Sequence, residues 1–358
     1  MTGQLARVTR AGGIRVGPVG LAWRPRVVVV TLAALVLAVV LLVTSVAIGS
    51  SALSPFDVVR TLAGGGTDVQ RLIILELRLP RALTGALVGL ALGVAGALTQ
   101  TFTRNPLATP DVIGVTAGAS TGAVAAIVLG GGTYSVSAAL LSGGIPVAAT
   151  VGALLASAVV YGLGWRGGVE SYRLILVGIG VGSVLTAITS YLLVRAQISQ
   201  AAQASVWLVG SLSGVSWAGL WPLLAVTVVA VALSVVASTA LGISQLGDET
   251  AIAVGLNLQL HRLAVIGLAV LLTAAAVAAA GPVGFVAFVV PQIALRVAGA
   301  SRPPILLTGL IGASLVLAAD LGGRTLFPSE VPVGLLTTVV GAPYLIWLLI
   351  RHRKELAS

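Results

Sequence analysis

Residues 85–119 read GALVGLALGVAGALTQTFTRNPLATPDVIGVTAGA, and this stretch decides the fold. An apolar run opens at Ala82 and ends at Thr103, the chain turns at Arg104, Asn105 and Pro106, and a second apolar run starts at Val112. Each run has about the 20 residues needed to cross the hydrocarbon of a bilayer. Glycine recurs every fourth residue at Gly85, Gly89 and Gly93, and again at Gly114, Gly118 and Gly122. Such rows put a smooth stripe on one helix face, where another backbone can approach closely. The stretch predicts two spanning helices in a tight bundle.

The pattern continues in both directions. Spans are predicted near 27–49, 82–103, 112–131, 146–165, 174–194, 219–240, 263–281, 284–299, 305–322 and 333–350. The eighth is short and holds Pro291, Gln292 and Arg296. Hydrophobic residues make up 58% of the 358 and charged residues 8%, where a soluble domain carries about 25% charged residues. One core cannot hide that much apolar surface, so the surplus faces lipid. The expectation is an all-α integral membrane protein with about ten transmembrane helices. A single domain fills 27–350, with tails at 1–26 and 351–358. The run from Val27 exceeds the roughly 7–15 apolar residues of a cleaved signal peptide, so it reads as the first span.

Twenty basic residues stand against ten acids, a net charge of +10. Because they sit between apolar runs, they read as a topological signal and not as a nucleic-acid surface. With the N-terminus inside, fourteen fall on the cytoplasmic side: Arg7, Arg10, Arg15, Arg24, Arg26, Arg104, Arg166, Arg173, Arg262, Arg296, Arg302, Arg351, Arg353 and Lys354. Arg60, Arg71, Arg78, Arg81, Arg195 and Arg324 fall outside. This bias puts both termini in the cytoplasm. Trp23, Trp165, Trp217, Trp221 and Trp347 lie near span ends, as an aromatic belt requires.

Several chemistries lack their residues. There is no cysteine, hence no thiolate nucleophile or thiolate metal site. No G-x-x-x-x-G-K-[ST] loop occurs, so the chain does not hydrolyse nucleotide by that route. His261 and His352 sit at span ends without metal-ligand spacing, and no G-x-S-x-G elbow accompanies the serines. No catalytic residue, metal site or cofactor is assigned to the chain. Asp320, four residues before Arg324, is the one acid placed inside a span. Intramembrane carboxylates mark proton and sodium relays, so their scarcity argues against an ion-coupled secondary transporter, the competing class. What remains is a path lined by Gly, Ser, Thr, Gln and Asn and powered from elsewhere.

Two connections are too rich to be passive. The first, 195–216, carries Gln197, Gln200 and Gln203. The second, 241–262, reads LGISQLGDETAIAVGLNLQLHR. There Gly247 can break the preceding helix, and Asp248 and Glu249 suit the first turn of a short new one. Gly255 can end it and Asn257 can cap the next span. A docking element and an interfacial linker are equal readings of this segment. As a docking element it would present Ala251, Ile252 and Val254 to a partner.

Further strings then carry a resemblance. Arg78-Leu-Pro-Arg81 opens the second span, and 85–119 follows it. Later come GDETAIAVGLN (247–257), GPVGFVAFVVP (281–291), Asp320 with Arg324, and EVPVGLLTTVVGAPYLIWLL (330–349). In this order they resemble the permease subunits of binding-protein-dependent ABC importers for ferric siderophores, haem and vitamin B12, the FecCD type, over about 27–350.

The resemblance implies a type II ABC importer permease bundle in the bacterial cytoplasmic membrane. It implies a second permease subunit alongside, two ATPase subunits that use ATP and Mg, and an external substrate-binding protein. Arg78, Arg81 and Arg324 match positions that dock the binding protein. Lipid headgroups, or pairing with Asp320 and Glu330 in this chain, compete for them. Gly247, Asp248, Glu249, Thr250, Ala251 and Gly255 match the loop that couples to the ATPase. Gln100, Asn105 and Leu107 fall at the cytoplasmic gate. Many members have Pro-His at Pro291-Gln292. Gln there leans toward catecholate siderophores and a heterodimer, with haem or vitamin B12 as the alternative cargo.

Overall fold

A computed structural model describes residues 13–16, 19–22, 24–49, 54–130, 144–166, 168 and 170–356. Arg7, Arg10 and Trp23 lie outside them. Two short antiparallel strands, β1 (Gly13–Val16) and β2 (Val19–Ala22), pair Ile14 with Leu21. Helices follow: α1 (Pro25–Ala47), α2 (Pro55–Leu62), α3 (Asp68–Thr103), α4 (Val115–Leu129), α5 (Gly144–Gly164) and α6 (Ser171–Arg195). Then come α7 (Ile198–Val209), α8 (Trp217–Ser244), α9 (Asp248–Ala253), α10 (Leu258–Ala280), α11 (Val286–Ala298), α12 (Ile305–Thr325) and α13 (Val333–Leu356). Among the described residues, α1, α3, α5, α6, α8, α10 and α12 are long and apolar enough to cross a membrane. The shorter apolar helices α4 and α11, with the apolar part Val333–Trp347 of α13, bring the set to the ten expected.

Helix α3 is the axis of the bundle. Its most apolar stretch is 78% buried, against 11% for α1 and 17% for α6. Gly and Ala on every side let neighbours close in. A Cβ on Gly93 would sit 2.7 Å from the Thr308 carbonyl, and one on Gly89 would collide with Gly312, so α12 packs there backbone to backbone. Gly96 is likewise closed by Ala287 of α11. Val88, Val94 and Leu98 then meet Leu272 of α10 and Val290 of α11 in the main core. A second pair forms where Gly118 and Gly122 of α4 meet Gly152 of α5. Gly114 also faces α5, at Val160 and Ala156, but from outside the helix. It stands at φ 77, ending the tight turn Pro110–Ile113 and starting α4.

The second span begins earlier than predicted, at Asp68 instead of Ala82. The apolar run opens only at Ala82, yet the chain is already helical from Asp68, through a π turn at Leu72–Arg78. In π pairing the Leu75 carbonyl would wait for the N–H of residue 80, which proline lacks. The Trp217 indole N–H donates to that carbonyl instead, at 2.9 Å.

Helix α11 has 13 residues, a rise of about 20 Å and less than the roughly 30 Å of hydrocarbon. Residues 281–285 before it are irregular, with Gly281 at φ 70 and Phe285 at φ 64. Irregular backbone at membrane depth survives only where protein buries it. Here Gly281 closes on the Trp207 carbonyl, and Ser211 N–H donates to the Ala280 carbonyl at 2.8 Å.

Candidate functional site

The candidate residues fall at the two ends of the bundle and at one buried point between. At one end α8 stops at Ser244, and Gly247 turns the chain at φ 115, a conformation glycine accepts. Helix α9 follows with Asp248 and Glu249 in its first turn. Gly255, at φ 85, releases the chain, and the Asn257 side chain accepts from the Leu260 N–H at 3.1 Å to cap α10. These four local expectations agree with the structure. Thr250, Ile252, Ala253 and Val254 are exposed. Ala251 is not part of that face: it is fully buried. A six-residue helix lying on α8 and α10 must turn one side inward, and the small alanine takes it. The exposed apolar patch is instead Leu246, Ile252, Val254 and Leu260.

Asp248 does more than start a helix. Its carboxylate accepts from Arg104 at 2.6 Å and from Arg262 at 2.7 Å. Burial pushes its carboxyl up, but the hydrogen bonds and charges of the two arginines outweigh this and hold it below the ordinary 3.8. Arg104 follows the last turn of α3 with φ 52 and also donates to the Ser244 carbonyl at 2.6 Å. The ends of α3, α8, α9 and α10 therefore meet around one carboxylate.

One turn into α3, Gln100 is 5% exposed. Its amide donates to the Phe288 carbonyl at 3.0 Å and its oxygen accepts from Gln292 at 2.7 Å. It staples α3 to α11 inside the chain. The Asn105 side chain accepts from the Leu107 N–H at 2.9 Å, which shapes the turn after α3 and leaves Leu107 exposed.

At the opposite end, beside α7, the three expected docking arginines meet groups of their own chain. Arg78 is 7% exposed and donates to the Val46 and Ala47 carbonyls at the end of α1. Arg81 grips Asp320 at 2.7 Å and Glu330 at 2.6 Å, and Arg324 reaches Asp320 at 3.0 Å. Asp320 is 2% exposed and Glu330 42%. Ser213 donates to Glu330 at 2.6 Å. Burial pushes the Glu330 carboxyl up, but Arg81 and Ser213 hydrogen bonds and the arginine charges hold it below the ordinary 4.5. For Arg81 and Arg324, pairing with Asp320 and Glu330, the competitor weighed, is the arrangement observed, and Arg78 is held by backbone carbonyls.

Two features escaped the sequence. The Arg104–Asp248–Arg262 cluster joins two arginines whose charges read only as topology to an acid read as a helix start and coupling-loop residue. On α6, Ser183, Thr186 and Ser190 form an exposed hydroxyl row beside Gly182. Its three-and-four spacing was readable, but hydroxyls are common in this chain and no partner marked the row. An open cleft of about 440 Å³ runs along it, lined by Asp111, Val112, Gly178, Ile179, Gly182, Ser183 and Thr186.

The sequence pattern described as the FecCD transport family matches residues 36–351. The chain is 38% identical over 308 residues to the ferric enterobactin transport system permease protein FepG of Escherichia coli, covering 86% of this chain and 91% of that one. It is 38% identical over 329 residues to a siderophore transport system permease protein, YfhA, of Bacillus subtilis, covering 91% and 96%. With the hemin transport system permease protein HmuU of Yersinia pestis it shares 35% over 324 residues, covering 90% and 95%. A solved metal-chelate type ABC transporter in an inward-facing conformation superposes with a TM-score of 0.79 at 28% identity, covering 90% of this chain and 99% of that one. With the pattern matched along almost its whole length, this chain belongs to the FecCD transport family.

Proposed function

We propose that this chain is one permease of a bacterial ABC importer that carries a ferric siderophore across the cytoplasmic membrane. A binding protein delivers the cargo outside, and separate ATPase subunits, using ATP and Mg, drive the cycle. The observation that carries the reading is α9: a short helix at the arginine-rich end, with Ile252 61% and Val254 62% exposed and a polar root tied into the bundle. An apolar patch on a polar end fits a partner's groove. Since the chain has no phosphate loop, an ATPase is the partner that would supply work. On this reading the α9 end is cytoplasmic, as are both termini, and the α7 end receives the binding protein.

The hydroxyl row of α6 supports a path shared with a second permease. Each hydroxyl donates to its own helix, Ser183 to Ile179 and Thr186 to Gly182, both at 2.8 Å. Acceptor lone pairs remain for a polar cargo, while Gly180 and Gly182 have open space in front of them. Gln292 and the likeness to siderophore permeases favour a ferric siderophore and a heterodimer. Docking of the binding protein would use Glu330 and the arginines behind it, exchanging pairs within the chain for pairs across the interface.

The test replaces Ile252 with arginine, because Ala251 is buried and its substitution would disturb α9 itself. Ile252→Arg is expected to release the ATPase from the purified complex and abolish uptake of labelled ferric siderophore, while membrane insertion is unchanged. A full ATPase complement with normal uptake would overturn the docking face. Uptake in cells lacking any ATPase partner would overturn the importer class.

A further inference from the structure

We propose that Asp248 is the positioning residue through which motion of α9 reaches the centre of the bundle. The inference rests on the importer reading and adds a route to it. A docking helix tethered only by loops would absorb a pull in those loops. Here one carboxylate fastens α9 to the end of α3 through Arg104 and to α10 through Arg262, at 2.6 and 2.7 Å. Helix α3 is the most deeply buried of the candidate spans, so a displacement of its end is felt by the helices packed on it. One turn further in, Gln100 locks α3 to α11 through Gln292 and the Phe288 carbonyl. The polar line thus runs from α9 through Asp248, Arg104 and Gln100 to Gln292.

The backbone at Arg104 points the same way. A helix that closes on a left-handed residue ordinarily uses glycine, which adopts that conformation without strain. This chain holds an arginine there at φ 52, and the same guanidinium grips Ser244 and Asp248. The side chain is what the position retains at the expense of backbone ease.

The experiment uses the complete complex of permeases and ATPases in vesicles with the loaded binding protein, comparing wild type with Asp248→Asn. Asparagine keeps the size and the first-turn preference of the residue but removes its charge. Expected is uptake per ATP hydrolysed lower by about fivefold, read on complexes normalised to the ATPase they retain. Because the chain has no native cysteine, a second variant carries Arg104→Cys with Asp248→Cys. Bridging them with a short thiol cross-linker is expected to restore most of the lost coupling, which the unbridged pair lacks. Uptake per ATP equal to wild type in Asp248→Asn overturns the inference, as does failure of the bridge to restore coupling. Loss of the ATPase in proportion to transport also overturns it, by making Asp248 a mere support for the docking face. If wild type itself transports without hydrolysis, the importer reading fails instead, so the two failures are distinguishable.

Discussion

Asp320 answers two guanidiniums at once, and its removal leaves Arg81 with Glu330 and Arg324 with Ser45 and the Ile48 carbonyl. Arg81 and Arg324 are 16% and 11% exposed, so water reaches them poorly. Breaking a buried ion cluster by deleting one partner typically costs about 3–5 kcal/mol. Asp320→Asn is therefore expected to lower the thermal midpoint of the purified chain by several degrees, with a loss near the low end of that range. A midpoint equal to wild type would show that the cluster contributes nothing to the fold. Glu330, more exposed, contributes roughly 0.2–1 kcal/mol. Its carboxyl is held below the ordinary 4.5, so its contribution is present above that pH and fades as pH falls through the depressed value. The stability gap between wild type and Glu330→Gln is expected to be constant near neutrality and to close only as pH falls below the ordinary 4.5. A gap that widens on acidification would reverse the assignment. Asp320 and Arg324 were visible as neighbours on one helix. Arg81 lies 239 positions from Asp320, and only the packing of α3 on α12 brings them together.

At the scale of elements, the glycines divide by what faces them. Gly89 and Gly312 close on each other's backbone, whereas Gly162 of α5 has nothing within 4 Å. Overpacking a tight contact costs about 1–3 kcal/mol, and more where backbone is the obstacle. Relieving an open helical glycine with alanine gains roughly 0.5–1 kcal/mol. Gly89→Val is expected to destabilise the chain in detergent and Gly162→Ala to leave it unchanged or firmer, both read from thermal midpoints. Equal effects would mean that α3 and α12 do not pack as described. The every-fourth spacing announced α3's stripe correctly because helical period is a local property. The same spacing put Gly114 against α5 correctly but not its left-handed turn, which depends on where the chain must fold back. The start of α3 falls outside the apolar run for a related reason: five charges and Pro80 interrupt 68–81, and other segments meet only part of it, Trp217 at the Leu75 carbonyl and Asp320 and Glu330 at Arg81.

For the whole molecule, orientation is the property that the importer reading most needs. Gln203 on α7 and Thr250 on α9 are both exposed, and they stand at opposite ends. Gln200 is buried, with its amide 3.4 Å from the Val128 carbonyl, and makes a poor probe. In this cysteine-free chain, Gln203→Cys is expected to react with an impermeant thiol reagent on intact cells. Thr250→Cys is expected to react only after the membrane is opened. The reverse pattern would invert the topology and move the ATPase face to the wrong side.

Membrane residence, the number of apolar helices and the family were all legible along the chain. They rest on run length, composition and motif order, which need no knowledge of which segments touch. The short helix after Gly247 was legible too, since its breaker, its acidic first turn and its exit glycine lie within nine residues. Which side of α9 faces out was not, because burial of Ala251 is set by α8 and α10 and not by its own turn. The pairing of Arg78, Arg81 and Arg324 within the chain, the Gln100–Gln292 staple and the grip of Asp248 on α3 belong to the folded molecule alone. A charge or amide in a sequence states what it can bond to. The partner is chosen by helix packing, which sets residues hundreds of positions apart within 3 Å of each other.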